Sequence, residues 1–262
     1  MRALDTAATG MAAMDLKVQV IAGNIANMST TGYKSQRAEF QDLIYEHVQR
    51  IGAQASDQGN ILPVGIELGS GVKTVGTPRL MTQGTLTQTG NTLDVAIQGD
   101  GFFKILMPDG TFSYTRDGSF KMDAQGRVVQ AEGYVVQPGI TIPQNASGLT
   151  INNQGQVSVT LPGSSTSTVL GQFTLTRFTN NAGLQANGDN MYTATPASGT
   201  PQDGLPATEG AGTILQGSLE QSNVEAVSEI SNLIAAQRAY EMNSKVITAA
   251  DQMLQSTAQL MR

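Results

Sequence analysis

Residues 222–262 read SNVEAVSEISNLIAAQRAYEMNSKVITAADQMLQSTAQLMR, and their periodicity decides the fold. Leu233, Tyr240, Ile247, Leu254 and Met261 recur strictly at every seventh position, and Ala239, Val246, Met253 and Leu260 form a companion row. Such spacing places each row along one stripe of a helix, the pattern of a coiled-coil seam. Neither Gly nor Pro occurs after Gly217. Ser222 or Asn223 is the expected N-cap, with Glu225 supplying negative charge in the first turn. A helix of that length spans on the order of 60 Å, too long to lie inside a compact domain of this size.

The other chain end carries the same signal. Leu4, Met11, Val18 and Ile25 form one row, and Ala7, Met14, Ile21 and Met28 another. Gly10 and Gly23 weaken this helix in isolation, by roughly 1 kcal/mol each relative to Ala. Ser29-Thr30-Thr31-Gly32 is a stop signal.

Between the ends the sequence changes character. It is rich in Thr, Val, Ile, Gly and Asn, and it alternates in Leu93-Asp94-Val95-Ala96-Ile97 and Phe173-Thr174-Leu175-Thr176. Turn signals recur at Pro108-Asp109-Gly110, Asp117-Gly118, Gln125-Gly126, Gln154-Gly155, Asn187-Gly188 and Asp203-Gly204. Many short strands with frequent turns suggest a β-sandwich or irregular barrel. Gly199 to Pro206 reads as a loop or return linker.

The expected class is therefore α+β. N- and C-terminal helices pair as a coiled-coil-like stalk, and an all-β central domain is inserted between them. The expected division is residues 1–30 and 222–262 as a helical core domain, 31–65 as an extended or hairpin connection, and 66–221 as a β-rich domain. The simpler alternative packs each terminal helix on its own β-domain.

Composition excludes several function classes. Of the 262 residues 14% are charged, and the net charge is -6, which argues against nucleic acid and against a polybasic membrane patch. A hydrophobic content of 39% argues against disorder throughout. The absence of cysteine removes disulfides, thiol catalysis and Cys-ligated zinc, and the single histidine, His47, makes an all-His metal site or proton relay untenable within one chain. The uncharged stretch from Pro138 to Thr176 is too rich in Gly, Ser, Thr, Asn and Gln to span a membrane as a helix. Arg2, Asp5 and Asp15 interrupt any secretory signal, so an exported chain is expected to leave without cleavage of one.

Catalytic patterns are missing. Gly65, Gly69 and Gly71 lack the following Lys and helix N-terminus that a phosphate cradle needs. Asp100, Asp109, Asp117 and Asp123 stand singly beside Gly or in turns, as hairpin chemistry requires. No Gly-x-Ser-x-Gly elbow occurs. The expectation is no catalysis, no cofactor, no metal and no small-molecule substrate.

Three motifs carry a resemblance. Asn24-Ile25-Ala26-Asn27 followed by Thr31-Gly32-Tyr33-Lys34 resembles the N-terminal signature of the bacterial flagellar rod and hook family. Ser222-Asn223-Val224, then Ala236-Gln237-Arg238-Ala239-Tyr240-Glu241 and Asn243-Ser244-Lys245, is similar to its C-terminal signature. Asp100-Gly101-Phe102-Phe103 and Tyr114-Thr115-Arg116-Asp117-Gly118-Ser119-Phe120 resemble the core motif of its larger members. Their order and extent cover nearly the whole chain.

The resemblance implies a non-enzymatic subunit of a helical homopolymer. Terminal helices would line an inner tube, with the β-rich domain facing outward. The implied setting is the flagellar basal body, with the rod crossing the periplasm and type III export delivering the subunits. The implied partners are further copies, proximal rod subunits, hook or hook-junction subunits, surrounding ring proteins and the export apparatus. Length, and the segment from Tyr45 through His47 and Arg50 to Pro63, resemble the distal-rod branch. A proximal rod homologue of similar size is the alternative, with a hook-type subunit or a non-flagellar stalked binding protein further off. Alone, the Tyr45 to Pro63 segment should be a loop or marginal hairpin, its only strong apolar anchors being Ile51, Ile61 and Leu62.

Overall fold

The structure is a computed structural model that describes residues 2–49, 64–162, 166–208 and 210–260. Arg50, Ile51, Ile61, Leu62, Pro63 and Met261 lie outside the described residues. The chain divides into two compact units: Met1–Ile25 with Gln36–Pro78 and Glu225–Arg262, and Ala26–Ser35 with Arg79–Val224.

The first unit holds both helices, α1 (Arg2–Ala26) and α2 (Ala226–Leu260). They lie side by side and antiparallel, since Asn24 bonds Glu229, Val18 shares a groove with Gln237, and Gly10 faces Asn243. The contact is not the pair of apolar heptad rows that the sequence suggests. On α2 the inward row is Glu229, Leu233, Ala236, Asn243, Ile247 and Ala250, of which only the two alanines are fully buried. Tyr240 and Leu254 from the expected row are exposed, as are Val246 and Met253 from its companion. On α1, Leu4, Met11, Val18 and Ile25 are half-buried while Ala7 and Ile21 are buried; Met28 lies past the helix end and is exposed.

Small residues account for this seam. A Cβ on Gly10 would sit 2.8 Å from Asn243 Nδ2, so the glycine that weakens an isolated helix is what admits the neighbouring one. The N-cap also differs from expectation. The Glu225 carbonyl accepts the first intrahelical bond, from Glu229 N, at 3.0 Å. Ser222 and Asn223 stand outside the helix because their side chains are engaged elsewhere, as described below.

A strand ribbon completes this unit. Glu39–Asp42 pairs antiparallel with Val72–Gly76, and Tyr45–Gln49 pairs with Ile66–Gly69. Val72 N donates to Thr9 Oγ1 at 3.3 Å, and Arg2 forms an ion pair with Glu46, tying the ribbon to α1. Residues 66–76 therefore belong with the helices, unlike the sequence division that begins the β-rich domain at 66.

The second unit is built on a nine-stranded antiparallel sheet. Its central hairpin joins Phe102–Leu106 to Phe112–Thr115 through a turn in which Asp109 accepts from Thr111 N and Gly110 takes φ 82°. Met191–Thr193 and Gln185–Gly188 extend it on one side; Val135–Val136, Val128–Val129 and Lys121–Met122 extend it on the other. Gly148–Ile151, Gln156–Thr160 and Ser167–Gln172 form a separate three-stranded sheet. Alternation sends Phe103, Phe120 and Phe173 into one core with Val95, Ile97, Val157, Val159, Leu175 and Ile214, the rings meeting edge-on or stacked.

Two expected turns prove to be strand: Asn187-Gly188 ends Gln185–Gly188, and the second is held by side chains. Asp203-Gly204 lies within Gln202–Gly204, which pairs with Leu175–Arg177. Asp203 there accepts from Lys104 at 2.6 Å and from Thr176 Oγ1 at 2.5 Å, bonds that a solvated turn would not offer.

Candidate functional site

The signature residues sort into two clusters, one in each unit. In the first unit Asn24, 1% exposed, sits at the end of α1. Its Nδ2 donates to Gln36 O at 2.8 Å and its Oδ1 accepts from Gln36 N at 2.9 Å, so its amide reproduces a strand partner. A third bond, at 3.4 Å, reaches Glu229 on α2. One side chain thus fixes where the chain returns to the helices and how α2 begins beside α1.

The second unit holds a buried charge cluster. Lys34 and Glu220 are both 0% exposed, with Nζ and Oε1 2.5 Å apart. Lys34 also donates to Thr82 O at 2.7 Å. Glu220 accepts further from Gly84 N at 2.9 Å and from Arg116 Nη1 at 3.4 Å. Arg116 donates to Gly99 O at 2.7 Å and lies over the Phe102 ring, while its buried Nε has no partner. Burial pulls Lys34 below the ordinary lysine value; Glu220 opposes that, and Arg116 adds to it. Two buried cations share one carboxylate, so Glu220 is the hinge of the cluster.

Backbone contacts lock the same strands together. Asn223 Oδ1 accepts from Ser35 N at 2.8 Å, and its Nδ2 donates to Leu80 O at 2.8 Å and Thr82 Oγ1 at 2.9 Å. Gly32 N donates to Glu220 O at 2.8 Å. Gly32 has φ 69°, and a Cβ there would sit 2.8 Å from Asp117 N, so the turn admits only glycine. Ser222 Oγ accepts from Val224 N at 3.2 Å, closing the turn that leads to α2.

Not every motif residue joins these clusters. Thr31 receives a bond from Asn190 Nδ2 at 2.9 Å. Asn27 and Tyr33 line an open pocket with Arg79. Gln237, Arg238 and Tyr240 lie exposed on α2 with the half-buried Ala239. Tyr45 and His47 are exposed on the outer ribbon, where His47 Nδ1 lies 3.1 Å from Glu67 across the strands. Sequence reasoning passed over Glu220 altogether: nothing local marks a glutamate 186 residues from Lys34 as its partner. A lone Lys in an otherwise polar turn, needing a buried counter-charge, was the available signal.

Among the described residues no group of His, Asp and Glu could hold a metal, and no helix is long and apolar enough to cross a membrane. What the structure offers, in each unit, is a fold held by buried polar bonds between residues far apart in the chain, the make-up of a structural subunit.

Comparison with known proteins agrees. Three family descriptions match: "Flagella basal body rod protein" over residues 4–34, "Flagellar hook protein FlgE/F/G D1 domain" over 96–159, and "Flagellar basal body rod FlgEFG protein C-terminal" over 215–260. The chain is 54% identical to the flagellar basal-body rod protein FlgG of Caulobacter vibrioides, covering 99% of each, and 49% identical to that of Agrobacterium fabrum, covering 97% of each. FlgF of the same Caulobacter is 36% identical over 94% of this chain and 89% of its own, so within one bacterium the FlgG type is favoured. The chain belongs to the family of flagellar basal-body rod proteins.

Proposed function

We propose that this chain is the distal-rod subunit, which self-assembles into a rigid helical tube that transmits torque from motor to hook and encloses the export channel. It is a structural role without catalysis.

The observation that carries this reading is the outward side of α2. One face packs beside α1. Away from that contact α2 displays Val227, Ile230, Ile234, Met242, Val246 and Met253, each between 45% and 74% exposed, with Arg238, Glu241 and Lys245 among them. A helix that keeps large apolar side chains exposed on the side away from its partner belongs in a packed environment, and such side chains mark an interaction surface. A contact of that kind that repeats without closing generates a helical polymer. The heptad residues Leu4, Met11, Val18, Ile25, Leu233, Tyr240, Ile247 and Leu254 then divide between packing within the subunit and packing between subunits.

The remaining roles follow from the same reading. Proximal rod subunits and hook or hook-junction subunits would meet the two ends of the tube. Ring proteins would surround the β-rich unit, and the export apparatus would deliver the chain. The Tyr45 to Pro63 segment would hold the polymer in one packing mode, since both strands of its ribbon are exposed along their whole length. Electron microscopy of purified, polymerised protein tests the reading. Hollow straight tubes support it; closed oligomers of fixed size contradict it.

A further inference from the structure

Arg79 stands apart from the buried charge cluster. Its guanidinium lies 5.8 Å from the ring centres of both Tyr33 and Tyr192, held between the two aromatic faces. Its one hydrogen bond runs from Nη1 to Lys34 O at 3.3 Å. Among the described residues no carboxylate comes within ion-pair distance of it. It opens onto a cavity of about 210 Å³, with Asn27, Asp189 and Asn190 on the rim.

This is the geometry of a prepared receptor. Cation–π contact with the rings holds the guanidinium without using its N–H donors. Nε and Nη2 make no hydrogen bond among the described residues, and they form the fork that matches a carboxylate. Arg79 is half-buried, and none of its donors is among the buried atoms without a partner, unlike Arg116 Nε. Asp189 lines the same cavity without pairing, so the site is not filled by its own chain.

We infer that the Arg79 pocket binds an aspartate or glutamate side chain of a second copy of this chain, and that it is a subunit contact separate from the helical one. The inference rests on the polymer reading above. The occupant is a second copy because the chain carries 21 acidic against 15 basic residues, so in a homopolymer carboxylates are the abundant partner for a prepared cation. Asn27 and Tyr33, signature residues outside the buried clusters, line the receiving site.

The test uses full-length protein with wild type polymerising alongside. Arg79→Gln should raise the critical concentration for polymerisation at least about tenfold and weaken its dependence on salt, with the monomer melting temperature unchanged. If Arg79→Gln impairs folding, Arg79→Lys replaces it: the charge stays but the fork is lost. Arg79→Lys also places an amine that a water-soluble carbodiimide can couple to an adjacent carboxylate, forming an amide as the reagent becomes a urea. Mass spectrometry should then find position 79 linked to an Asp or Glu of a second copy. Unchanged polymerisation in these variants, a link only to Asp189 of the same copy, or no link in polymer overturns the proposal. A wild type that does not polymerise at all overturns the preceding section's reading, and this one with it.

Discussion

Lys34 and Glu220 meet 2.5 Å apart, both wholly buried, although 186 residues separate them. Only the folded chain brings them together, so the N-terminal signature cannot satisfy its own lysine until the last strand, Ser218–Glu220, has paired with Leu86–Gln88. That single contact joins two distant segments of the second unit and gives the first prediction.

Glu220→Gln should destabilise the protein more than Lys34→Met. The first change leaves Lys34 and Arg116 buried without their counter-charge; the second leaves Glu220 paired with Arg116. Removing one partner of a buried pair costs about 3–5 kcal/mol, and the glutamine variant should lie at or above the top of that range. Chemical denaturation of both variants decides it, and equal losses would contradict the shared-carboxylate arrangement.

The same lysine sets a pH dependence. Burial, the largest influence, holds Lys34 below its ordinary 10.5, against Glu220 and with Arg116. A folded-state pKa below the unfolded value means that the native state releases its proton first. Relative stability is therefore fully present above the unfolded value and is lost as pH falls through the folded one. Measured against Lys34→Met, wild type should gain unfolding free energy as pH rises toward 10.5. A decline across that window would reverse the sign.

Asn24 supplies a third test, in the first unit. Asn24→Ala removes both bonds to Gln36 and the bond to Glu229, and should cost about 1–3 kcal/mol, because buried backbone groups lose their partner. Amide exchange at Gln36 should speed up. An unchanged Gln36 amide would mean that the chain return is fixed by other contacts.

How much of this was legible in the sequence depends on distance along the chain. Both helices could be read because heptad spacing is local, and the Asp109-Gly110 hairpin because turn chemistry is local. The seam between the helices could not be read: apolar spacing promised two rows, while the close approach of Gly10 to Asn243 turned Ala236 and Ala250 inward and left Val246 and Met253 outside. Asn223 looked like a cap because capping is what an asparagine does beside a helix. In the fold its amide is taken by Ser35 N and Leu80 O, each more than a hundred residues away. Asp203-Gly204 looked like a turn until Lys104 and Thr176 claimed its carboxylate. Long-range polar partners overrode local preference in each case.

Deleting the Tyr45 to Pro63 segment should leave a chain that still polymerises but into curved or more flexible rods. The deletion removes strand Tyr45–Gln49 and the Arg2–Glu46 ion pair, neither of which supports a buried core. A curved tube needs more than one subunit packing, and a contact of even about 1 kcal/mol per subunit, summed along the polymer, holds one state. Curvature measured on electron micrographs checks this; equally straight, equally stiff rods would remove the segment from the account.

The outward face of α2 carries the central claim. Ile234→Asp and Met253→Asp each place an unpaired charge in an apolar contact between subunits, at several kcal/mol per contact, while touching little within the subunit. Leu233→Asp serves as the contrast, since Leu233 is half-buried toward α1 and its loss should also destabilise the monomer. The deciding measurement is polymer yield by sedimentation and electron microscopy, beside monomer unfolding for the same three variants. The account predicts that the Ile234 and Met253 variants unfold within about 0.5 kcal/mol of wild type yet form no tubes. Tubes of normal yield and diameter from both would contradict it.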